Sequence, residues 1–526
     1  MQGYFDYKDI QAIVFSGYGK LRLARYVFLR INEPEKARAW LRWLEGQVTT
    51  AAELQRTRKQ GAKKPEALNI ALTAEGLKAL GFTQEELSDI FPPEFVEGMA
   101  KEHRSRLLGD SGWSSPRFWE FGGCKEDAPT QEDLHVVLML FSEGTRTNDD
   151  RDSDRRPLEE LHERQRRQYE AHGLEELFVQ DAHLLGNKDE GFHEPFGFKD
   201  GLSQPVIEGF SPPSTQGPSI KPGEVILGYE NAQGRLPPSP TVLDDWDTGN
   251  HLPRVPGSSR KDLGGNGSYL VIRKLWQNVK AFNVFLKEQG GSDPELLAAK
   301  LMGRWRSGAP LALSPEQDDR RLGADRTRNN CFAYAQDPQG VLCPVGSHIR
   351  RSNPRDALIA GKRQDSLDVV ARHQIIRRGR PYHDEGLDEH GREQRGMLFV
   401  ALNANIRSQF EFIQHTWLNS TKFGGYYDSK DPLVGDNPDA VPPPPEKPGE
   451  CPVNPEPCSV TLPGFPVSQR IEGLTRFVEV RGGAYCFLPG IKALRFLGAL
   501  EVPVRAARPA PSRVPTAEPS LSVAGP

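Results

Sequence analysis

Several things are scarce in this chain, and each scarcity excludes something. No apolar run approaches the roughly 18 residues of a membrane-spanning helix, so no membrane partner is expected. Six cysteines, at 124, 331, 343, 451, 458 and 486, are too few and too scattered for a disulfide scaffold, and a reducing cytoplasm is their simplest home. Net charge is small: 67 Lys plus Arg against 71 Asp plus Glu gives −4, which makes no global case for nucleic acid or an anionic surface. There is no His-Glu-x-x-His, Cys-x-x-Cys or His-x-His cluster, which argues against a multi-ligand zinc site, and no short repeat of the solenoid kind. The opening residues, MQGYFDYKDIQAIVFSGYGK, carry early acidic residues and no long apolar core, unlike a secretory signal or transit peptide.

What is present is a large, loop-rich globular sequence with 51 Gly and 44 Pro. Apolar runs of strand length recur, each followed by an amphipathic stretch. ARYVFLRI (24–31) precedes EPEKARAWLRWLEGQ, in which Ala37, Leu41 and Leu44 recur at helical spacing. DLHVVLMLFSE (133–143) suits a buried strand. GSYLVIRKLW (267–276) precedes NVKAFNVFLKEQGG, where Gly290 and Gly291 mark a helix stop. MLFVALNANI (397–406) and AYCFLPG (484–490) are likewise followed by RSQFEFIQHTWL and IKALRFLGAL. The two clusters predict two α+β domains, residues 1–210 and 266–500, joined by a loop-rich connector over 211–265. The charged run 146–170 reads as a solvated helix or loop, 441–464 as a Pro-rich surface insertion and 501–526 as a disordered tail. Cys451 and Cys458, in CPVNPEPC, are either incidental thiols or a local disulfide or metal clip.

Three residues stand out chemically. His348, in CPVGSHIRRSNPRD, follows a bent Pro-x-Gly backbone and precedes Arg350, Arg351 and Arg355. A single histidine suits haem, because a porphyrin supplies four of the iron's ligands and its two propionates favour nearby cations. Asp200, in EPFGFKDGLSQPVIEG, could simply sit in an Asp-Gly turn, but on the open face of a haem it could move a proton between the oxygens of peroxide. An ordinary carboxyl pKa of about 3.9 then predicts activity on the acidic side. Arg377, in HQIIRRGRPYHDEG, follows two isoleucines and is placed to turn inward and stabilise charge on a breaking O–O bond.

Taken in order, these blocks resemble the dye-decolourising peroxidases, from about Ile10 to Leu500. The likeness rests on IQAIVFSGYGKLRLARYVFLRI, the G-x-x-D-G of GFKDG, GRWRSGAPL, the histidine and arginine blocks, and RFVEVRGGAYCFLPG. The long insertions resemble the larger subfamilies. The resemblance implies two ferredoxin-like α+β domains enclosing haem b, with His348 as proximal iron ligand, Asp200 as distal acid–base and Arg377 as distal arginine. Met397 and Phe399 match positions that wall the distal pocket, and Arg350 is assigned to the haem's propionates. Gly379 stands where some bacterial members carry a distal asparagine, so Asp200 and Arg377 must suffice. Glu472, and after it Glu411, is the expected acceptor for the histidine's other N–H.

The implied activity is oxidation of dyes, phenols or other one-electron donors by hydrogen peroxide through a ferryl-oxo intermediate. Tyr382, Trp417, Tyr426 and Tyr427 are candidate surface relays. Two rivals compete: a haem-handling or iron-releasing protein with little turnover, and a binding protein with a dead haem site. Self-association into a homo-oligomer stays open, as does docking of the SLSVAGP tail inside a protein compartment.

Overall fold

The computed structural model describes residues 5–61, 64–144, 154–187, 191–210, 219–444 and 458–501. Nine strands form one antiparallel sheet: β1 Leu23–Ile31, β2 Glu66–Leu72, β3 Val136–Ser142, β4 Leu174–His183, β5 Ser268–Gln277, β6 Ile376–Arg377, β7 Arg380–Leu387, β8 Glu393–Asn403 and β9 Val478–Leu488. Their order is β6-β8-β5-β9-β2-β3-β1-β4, with β7 also beside β8. Each half is a ferredoxin-like unit: in both, the first strand lies between the last strand and the last but one. The halves meet edge to edge where Phe487 pairs with Leu72. At the other ends Gln180 Nε2 of β4 donates to Asp384 Oδ1 of β7 at 2.8 Å, and Lys274 Nζ lies over the rings of both Phe178 and Tyr382. The sheet therefore curls toward a barrel.

Strands with apolar side chains on both faces need cover on both. The barrel interior is filled by Tyr26, Phe28, Phe141, Ile272, Leu398 and Val400 among others. Outside, α1 (Pro34–Glu45) packs Trp40, Leu41 and Leu44 into a core shared with Leu494 and Leu497 of the C-terminal helix Ile491–Ala499. At Gly482 a Cβ would stand 2.6 Å from the Phe121 ring, so only glycine lets that ring reach β9.

Most expected elements are present, with differences. The charged run is not wholly solvated: Arg156–Ala171 is a helix that buries Leu158, Leu161 and Tyr169, while 146–153 lies outside the described residues. The connector contributes core residues Val225, Ile226 and Leu227, with 211–218 outside the described part. Of the Pro-rich insertion, 445–457 (with Cys451) is outside, and Cys458–Leu462 pairs with Gln469–Leu474 as a hairpin. Cys458 is a free thiol. Nearly all of the tail, 502–526, lies outside as well. No described helix is long and apolar enough to cross a membrane.

Candidate functional site

A cavity of about 310 Å³ opens against one face of the second unit's sheet. Side chains alternate along a strand, so Arg273, Leu275 and Gln277 of β5 share that face. Register brings Met397 opposite Leu275 and Phe399 opposite Arg273 on β8, and Val480 opposite Leu275 on β9. Met397 and Phe399 thus line the cavity.

Asp200 and Arg377 reach the same cavity from different elements. Asp200 ends a turn whose Gly197 and Gly201 have φ of +94° and +75°, conformations open to glycine. Its own N–H bonds Phe192 O at 2.7 Å. Arg377, on the short strand β6, donates Nη2 to Leu202 O at 2.8 Å, and its N–H bonds Gln204 Oε1 at 3.1 Å. The two residues are therefore tied through one loop. A Cβ at Gly379 would lie 2.6 Å from Leu398 O, so an asparagine there would require the backbone to move.

His348 opens the short helix His348–Ser352 on another wall. Its Nδ1 lies 3.0 Å from Asp431 Oδ2. Asp431 is wholly buried, and its Oδ1 accepts from the N–H groups of Leu433 and Val434 at 2.9 Å each. Burial by itself would raise the pKa of Asp431, but the charge and hydrogen bond of His348 and these two N–H groups outweigh it and hold the carboxyl below its usual range. A carboxylate on Nδ1 fixes the hydrogen there and leaves Nε2 with its lone pair.

Two assignments need correction. Glu472 is not the histidine's partner: it sits on the exposed hairpin strand, its side chain 78 % accessible, 3.5 Å from Arg470. Glu411 is not either, since it binds Arg104 and Tyr485. Asp431 takes that place, and its signal was an Asp-Pro turn without periodicity. Arg350 does not reach the cavity: its guanidinium donates to Asp337 Oδ2, Asp337 O and Cys343 O and lies over the Tyr334 ring. The Arg and Lys side chains that line the cavity are instead Lys199, Arg273, Arg304, Arg355, Arg377 and Arg476. Arg304 donates to Gly308 O, Asn329 O and Ser203 Oγ, and burial pulls its pKa down to about 10. Among the proposed relays, Tyr382 and Trp417 are buried and Tyr427 is 80 % exposed.

The donor set fits haem: the His348 imidazole with a free Nε2, apolar walls, and arginines to meet carboxylates. The other histidine on the wall, His373, turns its Nδ1 to Ser408 O and stacks on Phe412. Among the described residues no group of three or more His, Cys, Asp or Glu could hold a bare metal ion.

Fold and site together define an α+β barrel protein with a pocket into which a carboxylate-backed histidine, His348, opens. The DyP dimeric alpha+beta barrel domain matches residues 9–158, and the C-terminal domain of Dyp-type peroxidases matches 258–429. The dye-decolorizing peroxidase msp1 of Mycetinis scorodonius is 30 % identical over 451 residues, 82 % of this chain and 76 % of that protein. AauDyP1 of Auricularia auricula-judae is 30 % identical over 509 residues, 92 % of this chain and 86 % of that one. A crystal structure of a fungal DyP-type peroxidase from Auricularia auricula-judae superposes with a TM-score of 0.71 at 27 % identity, covering 94 % of this chain and 99 % of that one. The chain belongs to the dye-decolorizing peroxidase family and is a haem peroxidase.

Proposed function

We propose that this protein binds haem b through His348 Nε2 and reduces hydrogen peroxide at the expense of dyes, phenols or similar one-electron donors. Haem supplies the redox-active iron. Asp431 orients the imidazole and keeps Nε2 unprotonated. Arg304 and Arg355, held by carbonyls and Asn330, take the role given to Arg350 from the sequence and meet the cofactor's carboxylates. Asp200 accepts a proton from one oxygen of hydrogen peroxide and returns it to the other, so that water can leave. Arg377 stabilises the negative charge that builds as the O–O bond lengthens. Met397 and Phe399 exclude water from that side. The observation that carries this reading is the convergence of Asp200, Arg377 and His348 on one cavity. A reducing, cytoplasmic setting is the reading that fits five free cysteines among the described residues.

The test is stopped-flow absorbance of haem-loaded wild type, His348→Ala and Asp200→Asn mixed with hydrogen peroxide at acidic pH. Weak haem binding in the first variant and a slowed Soret change in the second are expected. General acid–base catalysis contributes about 100- to 10,000-fold, so the Asp200→Asn loss should fall in that range. Two deferrochelatases from Yersinia are 29 % identical over 150 residues, 28 % of this chain. A wild type that binds haem through His348 without responding to peroxide would favour the haem-handling alternative.

A further inference from the structure

The cavity wall holds a second carboxylate that the proposed chemistry leaves unused. Glu194 lies six residues before Asp200, at the other end of the same turn. Its Oε1 accepts from Phe198 N–H at 2.8 Å, and its Oε2 from Phe196 N–H at 3.0 Å and Gln277 Nε2 at 2.7 Å. The main chain repeats the hold: Glu194 N–H bonds Phe198 O at 3.0 Å, and Gly197 N–H bonds Glu194 O at 2.8 Å. One carboxylate therefore gathers the turn leading into Asp200 and fastens it to β5, the strand that presents Arg273, Leu275 and Gln277 to the cavity. Gln277 is buried, and its Oε1 has no partner among the described residues.

We propose that Glu194 is the positioning residue for Asp200: its three hydrogen bonds lock the Phe196–Asp200 turn to β5 and so set where the Asp200 carboxylate stands. This rests on the reading of Asp200 as the group that moves peroxide's proton. Three N–H donors converge on the side chain, so the site requires an acceptor-only group. A carboxylate meets all three, whereas a glutamine turns its own NH₂ toward at least one of them. Burial raises the pKa of Glu194, with the charge of Asp200 adding to that shift and the three donors opposing it. Proton transfer depends steeply on placement, since a displacement of about 1 Å can cost about 100-fold in rate.

The experiment is a double-mutant cycle on the haem-loaded enzyme: wild type, Glu194→Ala, Asp200→Asn and the double variant. Three quantities are read: the rate of reaction with hydrogen peroxide, haem affinity, and amide hydrogen exchange at Phe196 and Phe198. Glu194→Ala should slow the peroxide reaction by about 10- to 100-fold, while haem affinity and the KM for the reducing donor stay within about twofold. Glu194→Gln should fall between it and wild type. In the Asp200→Asn background the Glu194 effect should vanish, as coupled residues require. Exchange at Phe196 and Phe198 should quicken by at least about tenfold. Should Glu194→Ala fail to hold haem, the Gln variant, of the same volume, carries the cycle. A slow Asp200→Asn with a fully additive double variant, or unchanged exchange at the two amides, overturns the positioning role alone. An Asp200→Asn enzyme as fast as wild type overturns the acid–base assignment and this proposal with it.

Discussion

Replacing Asp431 with asparagine isolates what the buried carboxylate does for His348. The backbone at 431 is fixed independently of the side chain, by its N–H on Leu418 O and by Asn437 Nδ2 on its own carbonyl, both at 2.8 Å. The asparagine Oδ1 can keep the two N–H groups of Leu433 and Val434. What changes is the atom that faces His348 Nδ1, which becomes an amide donor. A donor there forces Nδ1 to accept, so the neutral imidazole carries its hydrogen on Nε2, the nitrogen needed for iron. The charge-assisted hydrogen bond that is lost contributes about 1.5–3 kcal/mol to the folded protein. Loss of such a partner lowers metal affinity by about 10- to 100-fold, or about 1.4–2.8 kcal/mol. Titrating apoprotein with haemin and following the Soret band measures this directly, and the Asp431→Asn band should also report altered iron coordination. Haem binding within about twofold of wild type with an unchanged spectrum would refute the tautomer argument. Asp431→Ala is the harsher variant, because it also orphans the buried Leu433 N–H and the part-buried Val434 N–H.

Arg380→Met should destabilise the protein by about 3 kcal/mol or more, because the buried guanidinium donates to Leu21 O, Gly17 O and Tyr18 O and all three carbonyls would lose it; limited proteolysis should then cut within residues 10–22, and an uncut segment would contradict this. Burial alone would raise the pKa of Asp388, but Arg392 N–H and the Arg481 and Arg392 side chains hold it down at about 2. A depressed carboxyl stabilises the fold above its unfolded pKa of about 3.9 and loses that contribution as pH falls toward 2. The gap in urea midpoint between wild type and Asp388→Asn should therefore be constant above pH 5 and narrow below pH 4, and a gap that widens in acid would contradict the sign. Met397→Leu should cost less than about 1.5 kcal/mol and remove a cavity-lining thioether from attack by peroxide; peptide mass spectrometry after turnover should find Met397 sulfoxide in wild type, and its absence would show that the side chain is shielded.

Much of the sheet was legible because strands buried on both faces read as apolar runs. ARYVFLRI, HVVLML and SYLVIRKLW became β1, β3 and β5. The unread strands lack that signature: EALNIAL carries Glu and Asn, and LEELFVQDAH, next to β1 at the end of the ladder, is polar and only partly buried. At the site, residues inside a motif were found and partners brought from afar were not. Asp431 lies 83 positions from His348 and signals only a local turn. Arg350 was excluded in principle by helix geometry, since residues four apart share a face while i and i+2 do not. His348 and Ser352 indeed line the cavity, and Arg350 turns away to Asp337.

The arginine block shows the same geometry at work on an extended segment. In RRGR, positions 378 and 380 share one side and 377 takes the other. Arg378 and Arg380 both point into the N-terminal segment, gripping the carbonyls of Ile13, Val14, Gly17, Tyr18 and Leu21. Arg377 faces the cavity and ties to the loop that carries Asp200. Four consecutive residues thus fix the N-terminal half to the C-terminal sheet on one side and complete the cavity on the other. A carboxylate supplied by the first half and a histidine supplied by the second therefore face one cavity, and the segment that joins the halves also ties down the loop after Asp200.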